Sequence, residues 1–246
     1  MTKQTVMIAI AAAVIGFIGG FIFTNALNRR EMTTRMPPVE QQAAPPLANT
    51  NSAAANTLTP EEIKARIETA DQNPGDFNFQ KSLGLSLYRY ASLKQDPSLL
   101  PDAIRIMQRA LDLDSADRDL QIGLGNAHFD VGYFNKDNAS FERARVYYDN
   151  ALARVPSDTD VRTDVALTYF LQTPPDLESA VKEFEKGLGF NPKHERSLQF
   201  LVQTHVKRND AAKANEALER LKAANSANPA IGELTSMIAA GPESVK

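Results

Sequence analysis

Apolar residues recur every three to four positions along most of this chain, and that spacing predicts helices. From residue 58 to about residue 240 the pattern is broken only by turn signals such as Asn-Pro, Asp-Pro, Pro-Pro and Ser-Asp. No alternating run of β-branched residues is long enough for a strand. The sequence therefore predicts an all-α domain.

Four stretches of this region share one spacing of small and bulky residues. In AVKEFEKGLGFNP the small Ala180 is followed by the bulky Phe184, the small Gly187 and then Pro192, which cannot continue a helix. The other copies are Ala103, Met107 and Ala110; Ala144, Tyr148 and Ala151; and Ala214, Leu218 and Leu221. The last copy also fits the register Ala217, Leu221 and Ala224. The leading alanines are 41, 36 and 34 residues apart along the chain.

Each of these helices is preceded by another helix with a small or apolar pair of its own. The pairs are Leu83–Gly84, Leu124–Gly125, Val165–Ala166 and Leu201–Val202. A small residue at a crossing point lets two helices approach closely, and a bulky one beside it fills the gap. One such helix pair cannot bury its apolar stripe alone, so we expect the pairs to stack.

These stacked pairs resemble the tetratricopeptide repeat (TPR), a unit of roughly 34 residues. The resemblance covers roughly residues 60 to 240 and implies a right-handed helical solenoid of about four repeats with flanking helices. The chain departs from the pattern because it has no tryptophan, and because other residues stand where the repeat has a bulky aromatic near the start of the first helix. Those residues are Gln80, Gln121, Arg162 and Leu198.

The first two units are longer than the last two, and helices are expected to flank the repeats. The extra residues fall between Tyr90 and Ala103 and between Gly132 and Ala144, which predicts longer turns or extended helix ends along one edge. The stretches LTPEEIKARIETA and ANPAIGELTSMIAA read as additional or capping helices. The first of them should begin with Thr59 as N-cap and Pro60 as the first helical residue.

Residues 1–28 are predicted to form a single transmembrane anchor. The uncharged stretch 5–27 would extend about 35 Å as a helix, enough to span the roughly 30 Å of bilayer hydrocarbon. A cleaved signal peptide is the alternative, although its apolar region is usually shorter. A small-residue stripe on one face of this helix would allow a homodimer. It consists of Ala12, Gly16, Gly20 and Thr24.

Residues 29–58 are predicted to be a flexible linker rich in Pro, Ala, Asn and Thr, and 241–246 a C-terminal tail. Orientation in a cell (inner) membrane stays open. Arg29, Arg30 and Arg35 follow the anchor while Lys3 precedes it, which favours a cytoplasmic solenoid. The nearly uncharged linker instead has the texture of an extracytoplasmic stalk.

Composition and motifs favour binding over catalysis. A net charge of −3 offers no basic field for nucleic acid, and the absence of cysteine excludes disulfides and cysteine-based zinc sites. The three histidines are too far apart for a short metal motif, and the GLGF at 187–190 lies at a helix end without the strand that a phosphate-binding loop needs. We therefore expect a non-enzyme without cofactor or metal.

The TPR resemblance implies that the first helices line a concave groove for a protein or peptide partner. Carried over by register, the groove residues are Tyr88, Arg89, Asn126, Phe129, Asp130, Asp164, Leu167, Phe170, Gln199, Gln203 and Lys207. A register shift of one residue would make Tyr88, Phe129 and Phe170 core residues instead. The basic clamp for acidic C-termini is absent, because Lys81 has no second basic partner in unit two, where Asp130 stands at the required groove position.

These expectations describe a membrane-anchored scaffold or adaptor. Its layout is similar to bacterial TPR proteins that assist cytochrome c biogenesis, which implies a role in assembling envelope or respiratory complexes. A membrane-tethered chaperone for newly inserted or secreted proteins would use the same scaffold. An enzyme would need perturbed carboxylates that converge in the groove.

Overall fold

The computed structural model describes residues 59–245, and this part of the chain is helical without any strand. The predicted anchor and linker, and Lys246, lie outside the described residues. Between residues 59 and 245 no helix is both long and apolar enough to cross a membrane. The helices are α1 Pro60–Gln72, α2 Phe77–Lys94, α3 Leu100–Leu113, α4 Arg118–Asn135, α5 Asn138–Arg154, α6 Thr159–Leu171, α7 Leu177–Phe190, α8 Glu195–Lys207, α9 Ala211–Ala224 and α10 Ile231–Ala240, with 3-10 turns at Pro97–Leu99 and Pro242–Ser244.

Consecutive helices pack as four antiparallel pairs, which we number as units one to four. The units are α2 with α3, α4 with α5, α6 with α7 and α8 with α9. The second helix of each unit packs against the first helix of the next, and neighbouring first helices also contact one another. Helix α10 packs against α8 and α9, where the first helix of a fifth unit would lie. This is a TPR-like arrangement.

The small residues of the repeat are buried where the two helices of a unit cross. A Cβ added to Gly84 would lie 2.9 Å from the backbone nitrogen of Met107, and one added to Gly125 would lie 2.5 Å from the ring of Tyr148. In unit three, Ala180 and Phe184 are fully buried. In unit four Ala214, Leu218 and Leu221 are buried while Ala224 is only half-buried, which favours the first of the two registers.

The polar residues that replace the aromatic near the start of the first helices tie down the preceding turn. The side-chain amide of Gln80 donates to the carbonyls of Ala70 and Asn73, at 2.6 and 2.9 Å. Gln121 donates to the carbonyl of Ser115 and Arg162 to that of Pro156, each at 3.2 Å. Leu198 is fully buried instead. In three units a hydrogen bond to a helix-terminal or turn carbonyl thus takes the place of aromatic packing.

Aspartates in the turns cap six of the ten helices of the described chain. The carboxylates of Asp76, Asp117 and Asp158 accept from backbone N–H groups at the starts of α2, α4 and α6. Those of Asp137, Asp176 and Asp210 do the same for α5, α7 and α9. Thr59 and Glu62 form a capping box at the start of α1, as the sequence predicts.

The extra residues of the first two units are extended helix ends, one of the two predicted forms. Helices α2 and α4 have 18 residues each, whereas α6 and α8 have 13. The added turns are residues 90–94 of α2 and 131–135 of α4. Unit one also has the 3-10 turn Pro97–Leu99 before its second helix.

Candidate functional site

Four of the predicted groove residues of units one and two line a partly open surface. Arg89 is exposed, and Tyr88, Asn126 and Asp130 are half-buried. The Tyr88 hydroxyl donates to a carboxylate oxygen of Asp130 at 3.1 Å, and so joins α2 to α4. Asn126 turns its amide oxygen toward α5, where it accepts a hydrogen bond from the Tyr148 hydroxyl at 2.8 Å. These side chains are polar and partly exposed, so this surface can contact a protein partner.

The predicted groove residues of the later units are mostly buried. Asp164, Leu167, Phe170, Gln199 and Gln203 are each at most 5% exposed. Leu167 and Phe170 belong to the apolar core of units two to four, and Phe170 packs edge-to-face against Phe200. Lys207 is half-buried, with its ammonium 5.1 Å from the centre of the Phe170 ring, and burial lowers its pKa.

Phe129 is the one predicted groove residue of unit two that is buried. It is 3% exposed and packs edge-to-face against Phe141 of α5, inside the same core. Leu167, which the core alternative did not include, lies in the same core. Phe129 and Phe170 are placed as that alternative has it, because each ring packs edge-to-face against another phenylalanine of the core. Tyr88 is not, since its hydroxyl reaches Asp130.

Buried polar side chains join the first helices of units three and four. Arg196 of α8 donates to Asp164 of α6 at 2.6 Å, and both are buried. Hydroxyls of Thr163 and Ser197 lie 2.6 Å apart beside them. These contacts hold α6 against α8 across their inner faces, so Asp164 is used in packing between units.

A second polar link runs from α8 to the turn before α10. The Gln199 amide nitrogen donates to the Asn228 side-chain oxygen at 2.9 Å, and the Asn228 amide nitrogen donates to Glu195 at 2.5 Å. Leu234 and Met237 of α10 are buried as well, so α10 covers the apolar core at the C-terminal end of the solenoid.

Sequence reasoning missed the ionic contacts between adjacent first helices. Lys81 donates to Asp117 at 2.5 Å and to Asp119 at 3.1 Å. Burial alone would lower the pKa of Lys81, but these two hydrogen bonds outweigh it and raise the pKa. Arg118 pairs in the same way with Asp158 of the next unit. The signal was a repeated one: Asp117 and Asp158 are each the capping aspartate of the following first helix, and Asp119 lies in the first turn after its cap.

We call the inner face of α2 and α4 the open half-groove. It is lined by Lys81, Leu85, Tyr88, Arg89, Asn126 and Asp130, all at least partly exposed. It carries charges of both signs, two apolar or aromatic side chains and an amide. The arrangement suits a polar peptide or helix with some apolar contact better than a strongly charged one.

The histidines have structural surroundings. The His128 ring stacks on Tyr147 with 5.5 Å between centroids, and the buried His205 lies within α8. Burial lowers the pKa of both. His194 caps α8, accepting from the backbone N–H of Ser197. In the described part of the chain no group of three or more metal-ligating side chains converges.

Comparison with known proteins gives similarity at the level of fold. No protein-family model matches the chain, and no curated protein matches it. A crystal structure of MamA matches with a TM-score of 0.54 and 18% identity, covering 67% of this chain and 87% of MamA. The structure of MamA 41-end from Desulfovibrio magneticus RS-1 matches with a TM-score of 0.55 and 16% identity, covering 69% and 86%.

MamA is a TPR-repeat protein, so the likeness supports a TPR fold for the described residues. YrrB, described as a TPR protein with an unusual peptide-binding site, covers 71% of this chain and 99% of its own at 16% identity. Its TM-score is 0.36.

Proposed function

We propose that this protein is a membrane-anchored TPR scaffold that binds a protein or peptide partner through the open half-groove. One observation carries the proposal. The inner side chains of α2 and α4 are partly exposed to solvent, whereas those of α6 and α8 are mostly buried. The TPR-like fold supports protein interaction as the general function. We therefore place the proposed partner site on the first two units, where Arg89 is the most exposed of the predicted residues.

The membrane anchor in this proposal is the uncharged segment 5–27. A partner held near the same membrane meets the groove at a high effective concentration, so weak groove contacts suffice. Assembly of envelope or respiratory complexes, of the cytochrome c type, is the role we propose for such a tether. The proposed location is the cell (inner) membrane, and protease protection of full-length protein in sealed vesicles would assign the side.

Affinity capture of the full-length protein from its native membrane tests the groove. Arg89→Glu should weaken capture of the partner about tenfold or more, because it reverses an exposed charge in the proposed site. The matched control is Arg143→Glu on α5, also exposed but on a second helix. Equal loss in both variants would contradict the groove assignment. Capture of many unrelated clients in place of one would favour the chaperone alternative.

A further inference from the structure

The added turns make α2 and α4 longer than the first helices of the last two units. With 18 residues against 13, each helix is five residues longer than α6 or α8, which corresponds to about 7.5 Å. Because α2 and α4 are neighbouring first helices, the two added turns lie side by side. We call residues 90–94 and 131–135 the ledge.

The ledge exposes apolar and aromatic side chains to solvent beside buried Ala91, Ser92 and Gly132. Its sequences are YASLK and VGYFN, and Leu93 is 53% and Phe134 42% exposed. Tyr90 and Tyr133 are half-buried, and the Tyr133 and Phe134 rings meet edge-to-face. Lys94 places its ammonium 5.9 Å from the centre of the Tyr90 ring. Exposed apolar and aromatic side chains on two neighbouring helix ends are the kind of feature that an interaction surface uses.

The described chain begins beside the ledge. A cavity of about 380 Å³ separates α1 from the end of α2, and Pro60, Tyr90 and Leu99 line it. Thr59 directly precedes Pro60, so the segment 1–58 joins the solenoid at this edge. The apolar stretch 5–27 therefore connects to the same side of the molecule that exposes Leu93 and Phe134.

The charges of the ledge give it no particular affinity for a negatively charged partner or lipid surface. Lys94 and Lys136 are exposed, but Asp96 and Asp137 lie at the same edge. Both carboxylates already accept hydrogen bonds, from Ser98 and from Ala139 and Ser140, and these bonds lower the pKa of each. The contact that this edge can make is thus apolar and aromatic, with lysines able to extend past it.

We propose that the ledge rests in the headgroup region of the lipid bilayer and orients the solenoid on the membrane. Tyrosine and phenylalanine rings beside lysine stems suit the boundary between acyl chains and headgroups. The proposal rests on the membrane anchor of the proposed function, because two exposed apolar side chains bind lipid weakly unless a tether keeps them near it. The open half-groove then lies next to the membrane.

Single-tryptophan variants of the full-length protein test this contact, since the chain has no tryptophan of its own. Phe134→Trp in phosphatidylcholine vesicles should show a blue-shifted emission that is quenched when the acyl chains carry bromine. The matched control is Phe190→Trp, which replaces the same residue type at 54% exposure at the opposite end of the helices. Its emission should be unshifted and unquenched. High salt should leave both results unchanged, because the contact is apolar.

Leu93→Trp repeats the test on the other half of the ledge, in case Phe134→Trp does not fold. Vesicle flotation separates the two proposals. Protein that floats while neither ledge tryptophan is quenched overturns the ledge contact and leaves the anchor standing. Protein that does not float overturns both. Equal quenching of Phe134→Trp and Phe190→Trp also overturns the ledge, because it shows no preferred face.

Discussion

The two halves of the solenoid, units one and two against units three and four, share one repeat. They differ in how far the inner side chains of their first helices are exposed to solvent. In the first two units the first helices are long, and the inner side chains are half-exposed, as Tyr88 and Asp130 are. In the last two units the first helices are short, and Asp164 and Gln203 are each 1% exposed. A single repeat register therefore yields an open half and a closed half.

The difference shows how polar side chains are used in each half. In the closed half they link first helices, as Arg196 does to Asp164. In the open half the corresponding links involve partly exposed groups, such as Lys81 with Asp117. Buried links fix the spacing of helices strongly, whereas exposed ones leave groups that can exchange water for a partner. Binding is better placed in the open half.

The largest expected effect separates these two kinds of link. Asp164→Ala removes the carboxylate paired with the buried Arg196 and should lower the free energy of unfolding by about 3–5 kcal/mol. Lys81→Met, which breaks a pair that is partly exposed on both sides, should cost no more than about 1 kcal/mol. Denaturant unfolding of the full-length protein measures both. Equal losses would show that the halves are not distinct in their packing.

The sequence predicted the repeat but not this division. The spacing of Ala180, Phe184 and Gly187 recurs in the other second helices. Because it spans only a few residues, the sites where helices cross could be inferred from the sequence. Exposure depends on contacts between residues 30 or more apart, such as Arg196 with Asp164, and no local spacing records them. Tyr88 and Phe170 occupy the same repeat position, yet one is half-exposed and the other is buried against Phe200.

A second, smaller effect compares the helix crossings of the two halves. Gly84→Ala places a methyl group 2.9 Å from the Met107 backbone nitrogen, which cannot move without shifting α3. We expect a loss of about 1–3 kcal/mol. Gly187→Ala meets the Thr159 methyl group at 3.2 Å and Arg162 at ordinary contact distances of 3.7 and 3.8 Å, and the gain of roughly 1 kcal/mol in helix propensity offsets the tighter contact.

Thermal unfolding followed by circular dichroism measures both glycine variants. Tight crossing in the open half predicts a lower Tm for Gly84→Ala and a Tm within a few degrees of the parent protein for Gly187→Ala. A Tm unchanged in both would mean that α2 and α3 can separate without cost. That result would undermine the close approach on which the repeat register rests.

The smallest effect is a pH dependence to which each half contributes one histidine. Burial lowers the pKa of His128 in the open half and of His205 in the closed half. The unfolded chain, whose histidines titrate near pH 6.5, then binds more protons than the folded one, so stability falls as pH drops through that range. Tm should be lower at about pH 5.5 than at about pH 7.5.

His128→Phe with His205→Phe should flatten that dependence, and each single variant should remove part of it. Asp71→Asn is the control, because hydrogen bonds from Arg105 and then Arg109 lower the pKa of Asp71 and keep it ionised throughout this window. It should shift Tm equally at both pH values. If only one single-histidine variant changes the dependence of Tm on pH, acid destabilises the half of the solenoid that contains that histidine and not the other half.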